Sequence, residues 1–186
     1  TYANGYVKNK VMEFVGPGVA SLSADCRNGI DCMTTETTCW SSIWQTDGVT
    51  EEYLAGHGRA DAYKELKPAD VAYYDGCIEL DLSKIECMIA LPMHPSYAYP
   101  IRELKANAKD LLHEIETRAN EQLSGKVKMD LVSKVRADGS IYVDQGIVAG
   151  CSGGTYENLC AVADILRGKS CGNGEFKFSA YPDSMP

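Results

Sequence analysis

Twice in this chain an apolar run with strand character gives way, across a glycine-rich turn, to a stretch with helical periodicity. The first runs from Val7 to Val15 into Gly16-Pro17-Gly18, after which Val19, Leu22, Cys26 and Ile30 recur at spacings of three and four. The second runs from Ile141 to Ala149 into Gly150-Cys151-Ser152-Gly153-Gly154, followed by Leu159, Val162, Ala163 and Leu166 on one helical face that stops near Gly168. A period of two and a period of 3.6 cannot share one segment, so each turn marks a switch from strand to helix. Two such switches argue for an α/β fold built from layered α/β/α units.

The intervening chain fits that class. Thr37 to Gln45, rich in Thr, Trp and Ile, predicts a strand. Asp47-Gly48 marks a turn, and Thr50 is expected to cap a short helix that Gly58 ends. Ile78, Leu80 and Leu82 alternate with Glu79 and Asp81, the pattern of a half-buried strand. Met88 to Pro92 reads as extended, and Pro92, Pro95 and Pro100 make the next stretch irregular. Ala106 to Leu123 is the clearest helix, with Ala108, Leu111, Leu112, Ile115 and Ala119 on one face. Phe176 to Phe178 predicts a last strand. The change from proline-broken coil to long helix suggests a boundary near residue 104, dividing the chain into 1–104 and 105–186; a surface excursion within one domain fits the same pattern.

Charge and cysteine usage narrow the function classes. A net charge of −8 repels phosphate backbones and argues against nucleic acid as a partner. No run of eighteen apolar residues suggests a membrane span, and TYANGYVKNK lacks the apolar stretch of a signal peptide, so a cytoplasmic protein is expected. Eight cysteines in 186 residues are too sparse for a disulfide scaffold, and no CxxC pair supports a self-contained zinc site. Most of these thiols are expected to be buried as small apolar side chains.

Cys151 stands apart, because it sits at the carboxyl end of a strand and just before a helix, where open α/β sheets hold ligands. The helix amino end favours a thiolate, and Gly150, Gly153 and Gly154 let backbone approach a bulky group. Three readings stay open: a ligand to a metal or iron–sulfur cluster, a nucleophile needing a nearby base, or a tight turn around a buried cysteine. His57, His94 and His113 lie at no recognisable catalytic spacing from it. With no Lys-Ser or Lys-Thr after the glycines, the loop is not a phosphate-binding P-loop.

Several separated blocks, in order, resemble the aconitase family, which includes isopropylmalate isomerase and homoaconitase. They are Val11-Met-Glu-Phe-Val-Gly-Pro-Gly-Val19; Asn28 to Thr38 with Met33 and Glu36; Tyr53-Leu-Ala-Gly-His-Gly-Arg-Ala-Asp61; Ile78 to Leu82 followed by Leu91 to Pro100; and Gly150-Cys151 with Thr155-Tyr156-Glu157, similar to the family's GSCTNSSYED. Together they cover most of the chain. On this resemblance, residues 1–104 form part of a central α/β domain and 105–186 begin the cluster-binding domain.

The resemblance implies a hydro-lyase acting on a hydroxy di- or tricarboxylic acid through a [4Fe–4S] cluster. It implies that Cys151 is one cluster ligand, the other two coming from a later CxxC that these 186 residues do not contain. It makes Glu36 a catalytic carboxylate that hydrogen-bonds to hydroxyl or bound water, and sets Cys32 and Ser152 against the substrate. The family has Asn where this chain has Cys32, and Thr-Asn where it has Ser152-Gly153, which removes directed amide hydrogen bonds. It further implies partners: an N-terminal domain supplying aspartate and histidine, and a mobile C-terminal domain or separate small subunit supplying arginine and the catalytic serine. Without those parts the piece is expected to be inactive and to hold no cluster stably. A binding module that kept the fold and lost the cluster is the alternative.

Overall fold

The computed structural model describes residues 5–184 and shows an α/β chain divided into two units, one formed by residues up to Leu80 together with those from Gly146 on, the other by Asp81–Gln145.

The first unit opens with a βαβ arrangement. Strand β1 (Val11–Phe14) leads through Gly16, whose φ of 107° suits glycine, into a 3-10 turn at Pro17–Ser21. Helix α1 (Ala24–Glu36) then starts where the Ser23 hydroxyl accepts the Cys26 N–H at 3.0 Å. The periodic face read from Val19 onward is thus two elements: Val19 belongs to the 3-10 turn, and the helix runs from Ala24, ending just past Thr34 at Glu36. Strand β2 (Ser41–Trp44) returns parallel to β1, with Val11 opposite Ser41 and Phe14 opposite Trp44. The Phe14 and Trp44 rings stack at 4.2 Å. Helix α2 (Gly48–Gly56) comes next; Asp47 is its cap and Thr50 the residue capped, since the Asp47 carboxylate accepts the Thr50 N–H.

Arg27 ties these pieces together. It is only 5% exposed, forms two hydrogen bonds to the Asp47 carboxylate at 2.9 and 2.8 Å, and donates to the carbonyls of Val19 and Leu22. One guanidinium thereby links the 3-10 turn, α1 and the start of α2.

The strand expected over Ile78 to Leu82 does not form. Ile78 and Leu80 are exposed, and Asp81 caps a 3-10 turn at Leu82–Lys84 by accepting the Ser83 N–H at 3.0 Å. Alternation specifies a strand only where another strand completes its ladder.

In the second unit β3 (Met88–Ala90) and β4 (Ala98–Pro100) pair antiparallel, followed by α3 (Ile101–Ala106) and α4 (Ala108–Gln122). Leu91, Leu104, Leu112 and Ile115 form its core, with Tyr97, Tyr99, Leu131 and Ile141 packed around them. The apolar face read for the long helix is the buried one, the chain breaking at Asn107 before it. Leu104 lies inside this core. Glu116 steadies the unit by accepting the N–H groups of Leu131 and Val132.

The chain re-enters the first unit at β5 (Gln145–Val148), shorter than the run from Ile141 because Ile141 pairs with Val135 instead. A single helical turn, α5 (Gly150–Gly153), and helix α6 (Tyr156–Leu166) precede β6 (Lys177–Ala180), which pairs with β5. Among the described residues no helix is long and apolar enough to cross a membrane.

Candidate functional site

Helix α1 packs on α5 with its Gly29 side: a methyl group at Gly29 would meet the Ser152 carbonyl at 3.6 Å. One turn further along α1, the Cys32 sulfur lies 3.5 Å from the Cys151 carbonyl oxygen, to which its thiol donates. Glu36 sits one turn later on the same helix face, four residues on from Cys32, and is exposed to solvent. Cys32, Cys151 and Ser152 therefore meet, with Glu36 next along the helix.

Cys151 itself is exposed, which removes the reading of a turn around a buried cysteine. The expectation that most thiols are buried fails more broadly: Cys32 and Cys39 are half-buried and the other six are exposed. The sequence also reads one helix after the loop where the structure has two. Gly154 and Thr155 interrupt it, so Cys151 lies in an isolated turn, Gly150–Gly153, rather than at the start of a long helix.

Burial pushes the Cys32 thiol above its ordinary value, and the neighbouring Cys151 thiol and the charges of Asp31 and Asp183 push the same way. Nucleophilic chemistry at Cys151 requires a base, and the histidines serve elsewhere. His57 hydrogen-bonds the Tyr53 carbonyl within its own helix, His94 the Ser96 hydroxyl, and His113 stands exposed on α4.

The loop's position is fixed from two sides. The Glu157 N–H donates to the Asp25 carboxylate at 2.9 Å, the Ser23 hydroxyl bonds to the Glu157 carboxylate, and the Asn158 amide donates to the Ser152 carbonyl. The starts of α1 and α6 are thus fastened together. On the other side Tyr181 donates to the Val148 carbonyl and Asp183 to that of Gly154. A Cβ on Gly154 would sit 2.5 Å from the Tyr181 oxygen, 3.0 Å from that of Gly150 and 3.1 Å from the Asp183 nitrogen. All three are backbone atoms with little room to yield. Gly154→Ala is therefore expected to destabilise the protein by about 1–3 kcal/mol, read as a lowered denaturation midpoint.

Sequence reasoning misses this fastening. The Ser23 cap is legible from the residue type alone; the roles of Asp25, Asp183 and the Glu157 carboxylate are not, because their partners lie 132 or more residues away or come through backbone groups.

A groove of about 800 Å³ lies elsewhere along α1. Its walls include Met12, Phe14, Cys26, Met33 and Ser152, but not Cys32, Glu36 or Cys151. Chemistry rather than volume singles out the site. Cys151 offers one accessible soft donor. Among the described residues no three His, Cys, Asp or Glu side chains converge to hold a metal ion.

The family model described as "Aconitase family (aconitate hydratase)" matches residues 1–186. The chain is 30% identical to the 2,3-dimethylmalate dehydratase large subunit of Eubacterium barkeri over 163 residues, 88% of this chain and 31% of that protein. It is 28% identical to the 3-isopropylmalate dehydratase large subunit of Caldicellulosiruptor bescii over 165 residues, 89% of this chain and 30% of that one. Against 3-isopropylmalate dehydratase large subunit 1 of Pyrococcus furiosus the identity is 29% over 160 residues, 86% and 30% of the two chains. The chain thus spans about three-tenths of the length of these relatives.

Proposed function

The chain belongs to the aconitase family, and from that membership we propose that it is the interior part of a hydro-lyase that removes and adds water across a hydroxy di- or tricarboxylic acid. The names of its relatives point, within that class, to malates carrying an alkyl substituent. The observation that carries the reading is the meeting of α1 with the Gly-Cys loop. It brings Cys32 and Cys151 together across 119 residues and sets Glu36 one helical turn away.

In this reading Cys151 supplies one thiolate to a [4Fe–4S] cluster whose remaining ligands lie outside these residues. When bound, that group supplies a Lewis acid for a substrate hydroxyl and carboxylate. The Glu36 carboxyl group hydrogen-bonds to the departing hydroxyl or the water that replaces it. The Ser152 hydroxyl donates to a substrate carboxylate, and Cys32 occupies the space beside it. The relatives are named as large subunits, so a small subunit or a further domain completing the site is part of the proposal. So are a cytoplasmic location, where thiols stay reduced, and the placing of 105–186 at the start of a cluster-binding domain.

The test uses the full-length protein, purified without oxygen and reconstituted with iron and sulfide. Bound iron together with dehydration of substituted malates supports the reading. A folded protein that takes up no iron and dehydrates none of them overturns it in favour of a binding module, the alternative that the Cys32 and Gly153 replacements suggest. Glu36→Gln is expected to lower turnover by about 10²–10⁴-fold while iron per chain stays unchanged. Unaltered turnover would remove Glu36 from the site.

A further inference from the structure

We propose that Cys32 and Cys151 form a redox pair, closed to a disulfide by hydroperoxides and reopened by small thiols. The Cys32 thiol donates to the Cys151 carbonyl oxygen at 3.5 Å, which sets the two cysteines side by side. They stand on α1 and α5, which approach closely at Gly29 and Ser152, while the Asp25–Glu157 hydrogen bond fastens α1 to the adjoining α6. The two cysteines thus face each other on packed elements, and closure requires their sulfurs to come within bonding distance. Their exposures divide the labour, since Cys151 is exposed and Cys32 half-buried. Cys39 has a partner of its own, bonding with the Thr37 hydroxyl at 3.1 Å.

The chemistry balances in two steps. The Cys151 thiol gives its proton to solvent water as its sulfur attacks one peroxide oxygen; the O–O bond breaks, and the departing hydroxide (or alkoxide from an organic hydroperoxide) takes a proton from solvent and leaves as water (or alcohol), giving a sulfenic acid. The Cys32 sulfur then attacks the Cys151 sulfur, the S–O bond breaks, and the hydroxide leaves as water with the Cys32 proton. The peroxide is reduced by two electrons and the two thiols are oxidised to one disulfide. The pairing does not depend on the hydro-lyase reading; its consequence, that the closed pair withholds Cys151 from a cluster, rests on that reading.

The test treats the cluster-free full-length protein with hydrogen peroxide, alkylates free thiols, and maps tryptic peptides by mass spectrometry with fragmentation. The expected product is a cross-linked peptide pair joining Cys32 to Cys151, lighter by two hydrogens and released by dithiothreitol. It is lost in Cys32→Ser and in Cys151→Ser but kept in Cys39→Ser and Cys160→Ser. Cys151 recovered as sulfinic acid with Cys32 alkylated, or a cross-link to Cys151 that persists in Cys32→Ser, overturns the proposal. Iron content of the reduced protein, read separately, reports on Cys151 as a cluster ligand whichever way the cross-link falls.

Discussion

Full-length protein carrying Cys151→Ser is expected to retain only background iron after reconstitution and to lose dehydration of substituted malates entirely. Serine keeps the size of the side chain and removes the soft donor. Its hydroxyl stays protonated at neutral pH and is a poor ligand for iron–sulfur iron. Because Cys151 is exposed and its sulfur is no part of a packed core, the substitution should shift the stability of the metal-free protein by no more than about 0.5 kcal/mol. Loss of iron with an unchanged unfolding midpoint separates a lost ligand from a damaged fold. Cys160→Ser, at another exposed thiol on α6, is the control that should keep its iron. Full iron and full activity in Cys151→Ser would end the ligand assignment.

Arg27→Met is expected to give the largest loss of fold stability. Methionine keeps much of the apolar stem and deletes the guanidinium, leaving the Asp47 carboxylate and the carbonyls of Val19 and Leu22 without their donor. Removing one partner of a buried ion pair costs about 3–5 kcal/mol; Asp47 keeps 21% of its side-chain surface in solvent, so the low end, about 3 kcal/mol, is expected from denaturant unfolding. The pair also sets a pH signature. Its hydrogen bond to Arg27, aided by the Thr50 N–H, holds the Asp47 carboxyl below the ordinary 3.8 against the opposing effect of burial. A depressed carboxyl contributes stability that is fully present above its unfolded value and is lost as pH falls through the folded one. Wild type should therefore lose stability more steeply than Arg27→Met as pH drops from about 5 towards 2. Parallel acid profiles would show that the pair contributes nothing to the acid dependence.

How much of this is legible in the sequence differs from element to element. The α4 face of Ala108, Leu112, Ile115 and Ala119 can be read directly, because a sustained 3.6-residue period has one physical meaning. The strand-to-helix switch at Cys151 is legible for the same reason. Ile78 to Leu82 misleads because a period of two states only which side chains share a face; it is silent on whether a neighbouring strand exists. Thr50 takes the place of the true cap in the sequence because Asp and Thr are both good caps, and the choice depends on which backbone is extended at that point. In the site, the residue types at Cys32, Glu36, Cys151 and Ser152 suggest their roles only through family resemblance. That Cys32 lies against Cys151 cannot be read from local pattern, since the contact spans 119 residues.

That span has a consequence for how the protein is made. Helix α1 leaves the ribosome long before Cys151 is synthesised, and the excursion over Asp81–Gln145, with a core of its own, is complete before the Gly-Cys loop appears. The loop gains its last backbone anchors only when Tyr181 and Asp183 have emerged. Because amino-terminal units fold first during synthesis, Cys32 waits on a formed helix for a partner that arrives late. The two sides of the site are thus made in separate stages of translation, and a ribosome stalled between residues 151 and 181 would carry folded surroundings around an unfinished centre.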